Sequence, residues 1–289
     1  MEVIRITPRG YCHGVVKAIN IARKTGAATE GPVFALGQLV HNHHVHEDLK
    51  NHGVDLVDGE SRLDILERID SGTVIFSAHG VSPAVRDRAV EKGLNWVDAT
   101  CPDVIRTHVL ARDLVARGYF IVYIGKKGHP EPEGVIGEVP GHAVLVESIE
   151  DIDALELEVE KIALLTQTTI SVWDTEDMID RMRERFPNVE VHNEICRATQ
   201  ERQEAAVEYA RQCDVVIVVG DRRSSNSRRL VEVVKKRAGK PAYLADNVNE
   251  IDLNWLKGAK RVGVTAGAST PSHIARAVAE YLEILPEQV

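Results

Sequence analysis

One local pattern occurs three times at nearly equal intervals: a short β-branched run, a few small or polar residues, a cysteine, then a helical stretch. The cysteines are Cys12, Cys101 and Cys196, spaced 89 and 95 residues apart. An interval of that length suits one small α/β module. Strand-like runs fall at 33–36, 54–57, 73–76 and 95–97, then at 120–124, 142–146, 162–165 and 189–192. A third set falls at 215–219, 242–244 and 261–264. Helical patterns such as 104–116, 174–185 and 203–212 lie between them. Such alternation predicts parallel sheets covered by helices. The third set lacks a fourth strand, because the chain ends on a helical pattern at 272–284. The N-terminal run 3–6 supplies it, since it leads into Gly10-Tyr11-Cys12 as the other fourth strands lead into Ala99-Thr100-Cys101 and Glu194-Ile195-Cys196. The expected fold is α/β: three similar units, each a four-stranded parallel sheet with helices, in a pseudo-threefold arrangement. The expected boundaries are 13–98, 99–193 and 194–289, the last completed by residues 1–12.

Composition narrows the function classes. At 289 residues, 44% hydrophobic and 27% charged, the chain is not wholly disordered. No apolar run approaches the roughly 18 residues of a membrane span. Residues 1–9 are charged and lack the apolar core of a signal peptide, so a cytoplasmic protein is expected. A net charge of −9 argues against nucleic-acid and anionic-membrane partners. Four cysteines are too few for a disulfide scaffold, and none stands at C-x-x-C spacing. Cys213 lies outside the repeat, just before an apolar strand, and reads as a buried structural thiol.

Polar residues recur in step with the cysteines. His41, His129 and Ser224 follow their cysteines by 29, 28 and 28 residues; His79, Thr168 and Ser269 follow by 67, 67 and 73. All fall at carboxyl ends of expected strands, where parallel sheets bind ligands. A thiol at a helix N-terminus ionises readily. Three such thiolates are able to hold zinc with a histidine, or a [4Fe–4S] cluster with one iron left open. Ser224-Ser225-Asn226-Ser227, before a helix expected from about Arg228, and Ser269-Thr270-Pro271 read either as helix caps or as an anion site. The run His41-Asn42-His43-His44-Val45-His46 has metal-like spacing. It opens an amphipathic helix, however, and His43, His44 and His46 read as solvated. Gly125-Lys126-Lys127-Gly128 lacks the spacing of a phosphate loop. Glu131 and Glu133 stand in a Pro-punctuated loop beside His129, where a carboxyl is placed to carry a proton. Arg222, Arg223, Arg228 and Arg229 read as a solvated helix surface.

Together these motifs resemble one family. Pro8-Arg9-Gly10-Tyr11-Cys12-His13-Gly14-Val15, Val40-His41-Asn42, Phe76-Ser77-Ala78-His79-Gly80-Val81 and Asp98-Ala99-Thr100-Cys101-Pro102 are similar to blocks of the 4-hydroxy-3-methylbut-2-enyl diphosphate reductases, the LytB/IspH family. So are Gly128-His129-Pro130-Glu131, Thr166-Gln167-Thr168-Thr169, Cys196-Arg197-Ala198-Thr199, Ser224-Ser225-Asn226-Ser227 and Thr265-Ala266-Gly267-Ala268-Ser269. The blocks run in family order through nearly the whole chain. The resemblance implies an iron–sulfur reductase of the non-mevalonate isoprenoid pathway. It would convert its allylic diphosphate substrate to isopentenyl and dimethylallyl diphosphates by reductive dehydroxylation. It implies one [4Fe–4S] cluster per chain on Cys12, Cys101 and Cys196, at the centre of a trefoil of the three units. It implies diphosphate contacts from His41, His79, His129, Ser224, Ser225, Asn226 and Ser269, Thr168 near the hydroxyl end, and Glu131 as proton donor. An electron donor such as ferredoxin or flavodoxin is implied as partner. His13 and Arg197 depart from the family's commoner residues. A quinolinate-synthase-like [4Fe–4S] dehydratase and a non-enzymatic zinc-binding protein are the alternatives from other classes. The first fits the motifs poorly, and iron analysis separates the second.

Overall fold

The computed structural model describes residues 1–285. In chain order the elements are β1 (Glu2–Arg5), α1 (His13–Ala28), β2 (Val33–Leu36), α2 (His43–Lys50), β3 (Asp55–Val57), α3 (Arg62–Glu67), β4 (Thr73–Phe76), α4 (Pro83–Glu91), β5 (Asn95–Asp98) and α5 (Pro102–Ala116). Next come β6 (Phe120–Ile124), α6 (Pro130–Gly137), β7 (Ala143–Val146), α7 (Ile149–Asp153), β8 (Ile162–Thr166), α8 (Val172–Arg185), β9 (Glu190–His192) and α9 (Arg197–Ala210). The chain finishes with β10 (Val215–Val219), α10 (Ser225–Val233), β11 (Ala242–Ala245), β12 (Arg261–Ala266) and α11 (Ser272–Ile284). No helix among the described residues is long and apolar enough to cross a membrane.

Three four-stranded sheets form, ordered β3-β2-β4-β5, β7-β6-β8-β9 and β11-β10-β12-β1. Every pairing is parallel. The order within each is the same, and β1 takes the edge that the last repeat leaves open. There Val3 stands opposite Val262 and Ile4 opposite Gly263. A parallel neighbour can come from anywhere in the chain, so closing the third sheet with the N-terminus needs no hairpin. By contacts the chain forms two compact units. One comprises residues 1–15, 41–45 and the chain from 197 on; the other comprises 16–40 and 46–196.

In the first unit β10 is apolar on both faces because both faces are covered. Val215, Ile217 and Val219 pack on Ala275, Val278 and Leu282 of α11. Val216 and Val218 point the other way, onto Ala206 and Ala210 of α9 and Leu230 of α10. Each such fully buried side chain contributes about 1.5–3 kcal/mol. Cys213 belongs to this core, 1% exposed, and its Sγ donates to the Tyr209 carbonyl at 3.3 Å. Burial raises its thiol pKa, as befits a structural residue.

The second unit holds the other two sheets. Val74 and Phe76 of β4 pack on Ile65 and Leu66 of α3 and Val85 and Ala89 of α4. In the neighbouring repeat Ile121 and Tyr123 face α5 and α6 through Leu114 and Val135, while Val122 and Ile124 face Met178 and Met182 of α8. Because the strands of each sheet are parallel, their carboxyl ends lie on one side, and the loops there carry the polar residues of interest.

Candidate functional site

All three repeat cysteines are held in one way. The Cys12 N–H donates to the Ala268 carbonyl at 3.1 Å, that of Cys101 to Ala78 at 3.0 Å, and that of Cys196 to Thr168 at 3.1 Å. Each acceptor stands two residues past the end of its sheet's third strand, β12, β4 or β8. The thiols are partly exposed and in no disulfide, and each directly precedes a helix: α1, α5 or α9. Cys101 is the N-cap of α5, with Pro102 in the first turn. A helix start favours the thiolate, the form that ligates metal. The donor set, three unoxidised thiols at helix starts, therefore fits an iron–sulfur cluster. Lys17 donates to the Thr100 carbonyl at 3.2 Å, placing a cation one residue from Cys101. Sequence spacing gave no signal for this lysine, which lies on α1.

In the first unit, Ser224, Ser225, Asn226, Ser269 and His41 are knit together. Ser224 is the N-cap of α10, its Oγ accepting from Ser227 N–H at 3.2 Å. The helix starts at Ser225, three residues before the expected start near Arg228, because the capping serine replaces a lost backbone partner. Asn226 Oδ1 accepts from Ala268 N–H at 3.1 Å, joining this turn to the loop after β12. Ser269 Oγ donates to the His41 carbonyl at 3.0 Å. The N–H groups of Ser225 and Asn226 open the helix and have no preceding turn to donate to, the arrangement that receives anions. Gly220 and Gly267 let the turn close. A Cβ at Gly267 would stand 2.0 Å from Ser227 Oγ, and one at Gly220 would stand 2.3 Å from it.

In the second unit, Glu131 and Thr168 are directly bonded. Thr168 donates to the Glu131 carboxylate twice, from its N–H at 2.7 Å and its Oγ1 at 3.0 Å. Glu131 is 1% exposed, and burial pushes its carboxyl up to about 7 against the downward pull of those two bonds. It lies in the first turn of α6 rather than in the expected loop. Pro130 and Pro132, which read as loop punctuation, occupy first-turn positions where the missing N–H costs nothing. His129 is the N-cap, and its Nδ1 accepts from the Glu131 N–H at 3.2 Å, which leaves the ring proton on Nε2. His79 meets His129 edge-on, with ring centroids 5.3 Å apart, and its Nδ1 lies 3.2 Å from Ser77 Oγ. Glu133, the rival acid, is exposed.

Other candidates fall away from this chemistry. Lys126 pairs with Glu147 at 2.9 Å and its N–H donates to Gln167, so the Gly125–128 stretch is tied to its own sheet. Arg222 pairs with Glu250 and Arg229 with Glu232. Arg197, with its side chain 89% exposed, pairs with Glu201; His13, also exposed, stays beside the cysteine site as the first residue of α1, directly after Cys12. His43 and His44 are not simply solvated: His44 Nε2 lies 2.9 Å from Asp246. Sequence reasoning also missed a buried centre in the second unit, where His108 Nδ1 lies 2.8 Å from Glu138. Burial opposes the Glu138 charge, yet His108, Arg86 and Arg112 hold its carboxyl below the usual range. A Cβ on Gly80, next to His79, would lie 2.7 Å from His108 Nε2. Glu138 is 30 residues from His108 in sequence, so no local pattern announces the pair.

Comparisons with known proteins converge on one family. A family model described as LytB protein matches residues 3–283. A 4-hydroxy-3-methylbut-2-enyl diphosphate reductase of Symbiobacterium thermophilum is 58% identical over 286 residues, covering 98% of this chain and 97% of that protein. The solved E-1-hydroxy-2-methyl-but-2-enyl-4-diphosphate reductase from Plasmodium falciparum matches with a TM-score of 0.93 at 33% identity, covering 99% of this chain and 89% of that one. A solved (E)-4-hydroxy-3-methyl-but-2-enyl diphosphate reductase, described as the terminal enzyme of the non-mevalonate pathway, matches at 33% identity with a TM-score of 0.69, covering 99% and 100%.

Proposed function

From the premise that this chain belongs to the LytB family, we infer the roles of its residues in the family's reaction. The chain is an iron–sulfur reductase of the non-mevalonate isoprenoid pathway, acting on 4-hydroxy-3-methylbut-2-enyl diphosphate. Its products are isopentenyl and dimethylallyl diphosphates. We assign one [4Fe–4S] cluster per chain to Cys12, Cys101 and Cys196. When bound, that cluster would relay two electrons, one at a time, from the external donor and would offer Lewis acidity toward the allylic hydroxyl.

The protein's residues do the rest. Ser224, Ser225, Asn226 and Ser269 take the diphosphate, helped by the unpaired N–H groups that open α10. His41, His79 and His129 donate to its anionic oxygens, His129 through Nε2–H. Holding the diphosphate fixes the far end of a short substrate and so orients its hydroxyl. Thr168 contacts that hydroxyl. Hydroxide is a poor leaving group, so the C–O bond breaks as a proton reaches the oxygen and water departs. Glu131 supplies this proton, passing it through Thr168 Oγ1, which is within hydrogen-bond reach of its carboxylate. Two electrons enter the carbon skeleton as the oxygen leaves, and a second proton adds at either end of the allylic system, giving the two isomers. Ferredoxin or flavodoxin is the electron donor that suits this chemistry, in the cytoplasm, where thiolates stay reduced.

The observation that carries the reading is the Glu131–Thr168 pair: a carboxyl buried to 1%, held by two bonds from one threonine and protonated near neutral pH. The test is anaerobic purification followed by iron and sulfide analysis and turnover with the allylic diphosphate and a low-potential reductant. A brown protein forming both isomers is expected. A colourless zinc protein without turnover would overturn the assignment.

A further inference from the structure

The histidines at the start of α2 lie where the reductase chemistry does not need them. His44 Nε2 is 2.9 Å from Asp246 Oδ2, and His43 Nε2 is 3.4 Å from the same oxygen. The two rings are 3.9 Å apart at a 38° tilt, and their ligand atoms and those of Asp246 lie within 4.8 Å of one another. In a tetrahedral site with bonds near 2.0–2.1 Å, neighbouring ligand atoms stand roughly 3.3 Å apart. The 2.9 and 3.4 Å separations from Asp246 are close to two edges of such a site.

Two independent features point the same way. Asp246 is 7% exposed, and its second oxygen, Oδ1, is buried with no hydrogen-bond partner among the described residues. An orphaned carboxylate oxygen is costly and calls for a cation. His43 also carries the outer support common to metal-bound imidazoles: its Nδ1 lies 3.4 Å from Asp221 Oδ2, which also accepts the His43 N–H at 3.1 Å. Asp221 is in turn fixed by the Arg223 N–H at 2.8 Å. The His43 side chain is 41% exposed, so an ion has a way in.

We propose that His43, His44 and Asp246 bind a zinc-class divalent ion, with water completing the shell. Two imidazoles and one carboxylate select zinc, cobalt or nickel over magnesium and calcium. The ion pins the start of α2 to the loops after β10 and β11, the first of which runs on to Ser224. It is separate from the cysteine cluster and survives or fails independently of it.

The experiment uses the anaerobic, cluster-bearing chain dialysed against zinc chloride in chelator-free buffer, with zinc and iron measured together. One zinc per chain is expected above an unchanged iron content, resisting excess magnesium. H43A and H44A should each abolish it while leaving iron content and circular dichroism unchanged. Asp221→Asn should weaken binding roughly 10–100-fold, as for other outer-shell partners. If H44A loses iron or fold, the half-exposed His43 decides the matter through H43A alone. No retained zinc in the wild type, wild-type affinity in H43A, or zinc uptake only at the expense of iron would each overturn the proposal.

Discussion

Replacing Glu131 by Gln separates proton donation from every other role of that position. Gln has the same shape, and its amide oxygen still accepts the Thr168 N–H, but it carries no acidic proton. Burial has pushed the Glu131 carboxyl from an ordinary 4.5 up to about 7. At pH 7 roughly half of the molecules then hold the proton, against about 0.3% for an unperturbed glutamate. Losing a positioned general acid lowers rates about 10²–10⁴-fold, or about 3–5 kcal/mol of barrier. Single turnover of the anaerobically reduced enzyme should therefore fall by at least about 10²-fold in Glu131→Gln, with iron content and substrate affinity preserved. The wild-type rate should decline above pH 7 as Glu131 ionises, and this alkaline limb should vanish in the variant. Stability provides a second readout. A carboxyl whose folded pKa is raised binds more protons folded than unfolded between 4.5 and 7. Its contribution is thus complete below 4.5 and is lost as pH rises through 7, by about 3 kcal/mol in all. Glu131→Gln should lack that slope and gain on the wild type at pH 8 relative to pH 4.5. Near-normal turnover in Glu131→Gln with collapse in Glu133→Gln would refute the reasoning and move the acid to Glu133.

Serine at Cys12, Cys101 or Cys196 should strip or destabilise the iron, measured by iron and sulfide analysis, whereas Cys213→Ser should leave it. Ser225→Ala or Asn226→Ala should raise the substrate requirement by about 1.5–3 kcal/mol per lost bond to the diphosphate, with the cluster spectrum intact; Lys126→Ala should leave kinetics unchanged. Gly267→Ala drives a methyl into Ser227, 2.0 Å from its Oγ, and should cost about 1–3 kcal/mol in denaturant unfolding. Glu138→Ala leaves His108, Arg86 and Arg112 without their buried partner and should cost about 3–5 kcal/mol, read in the same way.

The strands and the cysteine positions were legible in the sequence because both rest on local patterns, whereas the order of strands within each sheet came only with the structure. Runs such as 215–219 are too apolar to be anything but doubly covered strands, and each fourth strand leads into a cysteine. The edge strand β1 was legible through an arithmetic gap, three strands where four belong. Helix starts were harder. Pro130 and Pro132 look like loop residues, yet a first turn accepts them, so Glu131 sits in a helix and is buried. The serines before Arg228 read as helix caps or an anion site, and Ser224 is indeed a cap, but the helix begins three residues earlier than expected. Least legible were partners far apart in the chain. Asp246 meets His44 across 202 residues, and no periodicity foretells it. A proton-carrying role for Glu131 was expected from its place beside His129, but the burial that raises its pKa, against the pull of a threonine 37 residues away, needed the folded chain.

The measurement that bears most directly on the central claim is Mössbauer spectroscopy of the ⁵⁷Fe-labelled, anaerobically prepared chain, with and without the allylic diphosphate. On the proposed assignment, three cysteines for a four-iron cluster would leave one iron in different surroundings, where the substrate hydroxyl would bind. The account predicts a four-iron signal with one distinct subsite whose parameters change when substrate is added, while the other three stay as they were. Four equivalent irons indifferent to substrate, or no iron signal at all, would contradict it.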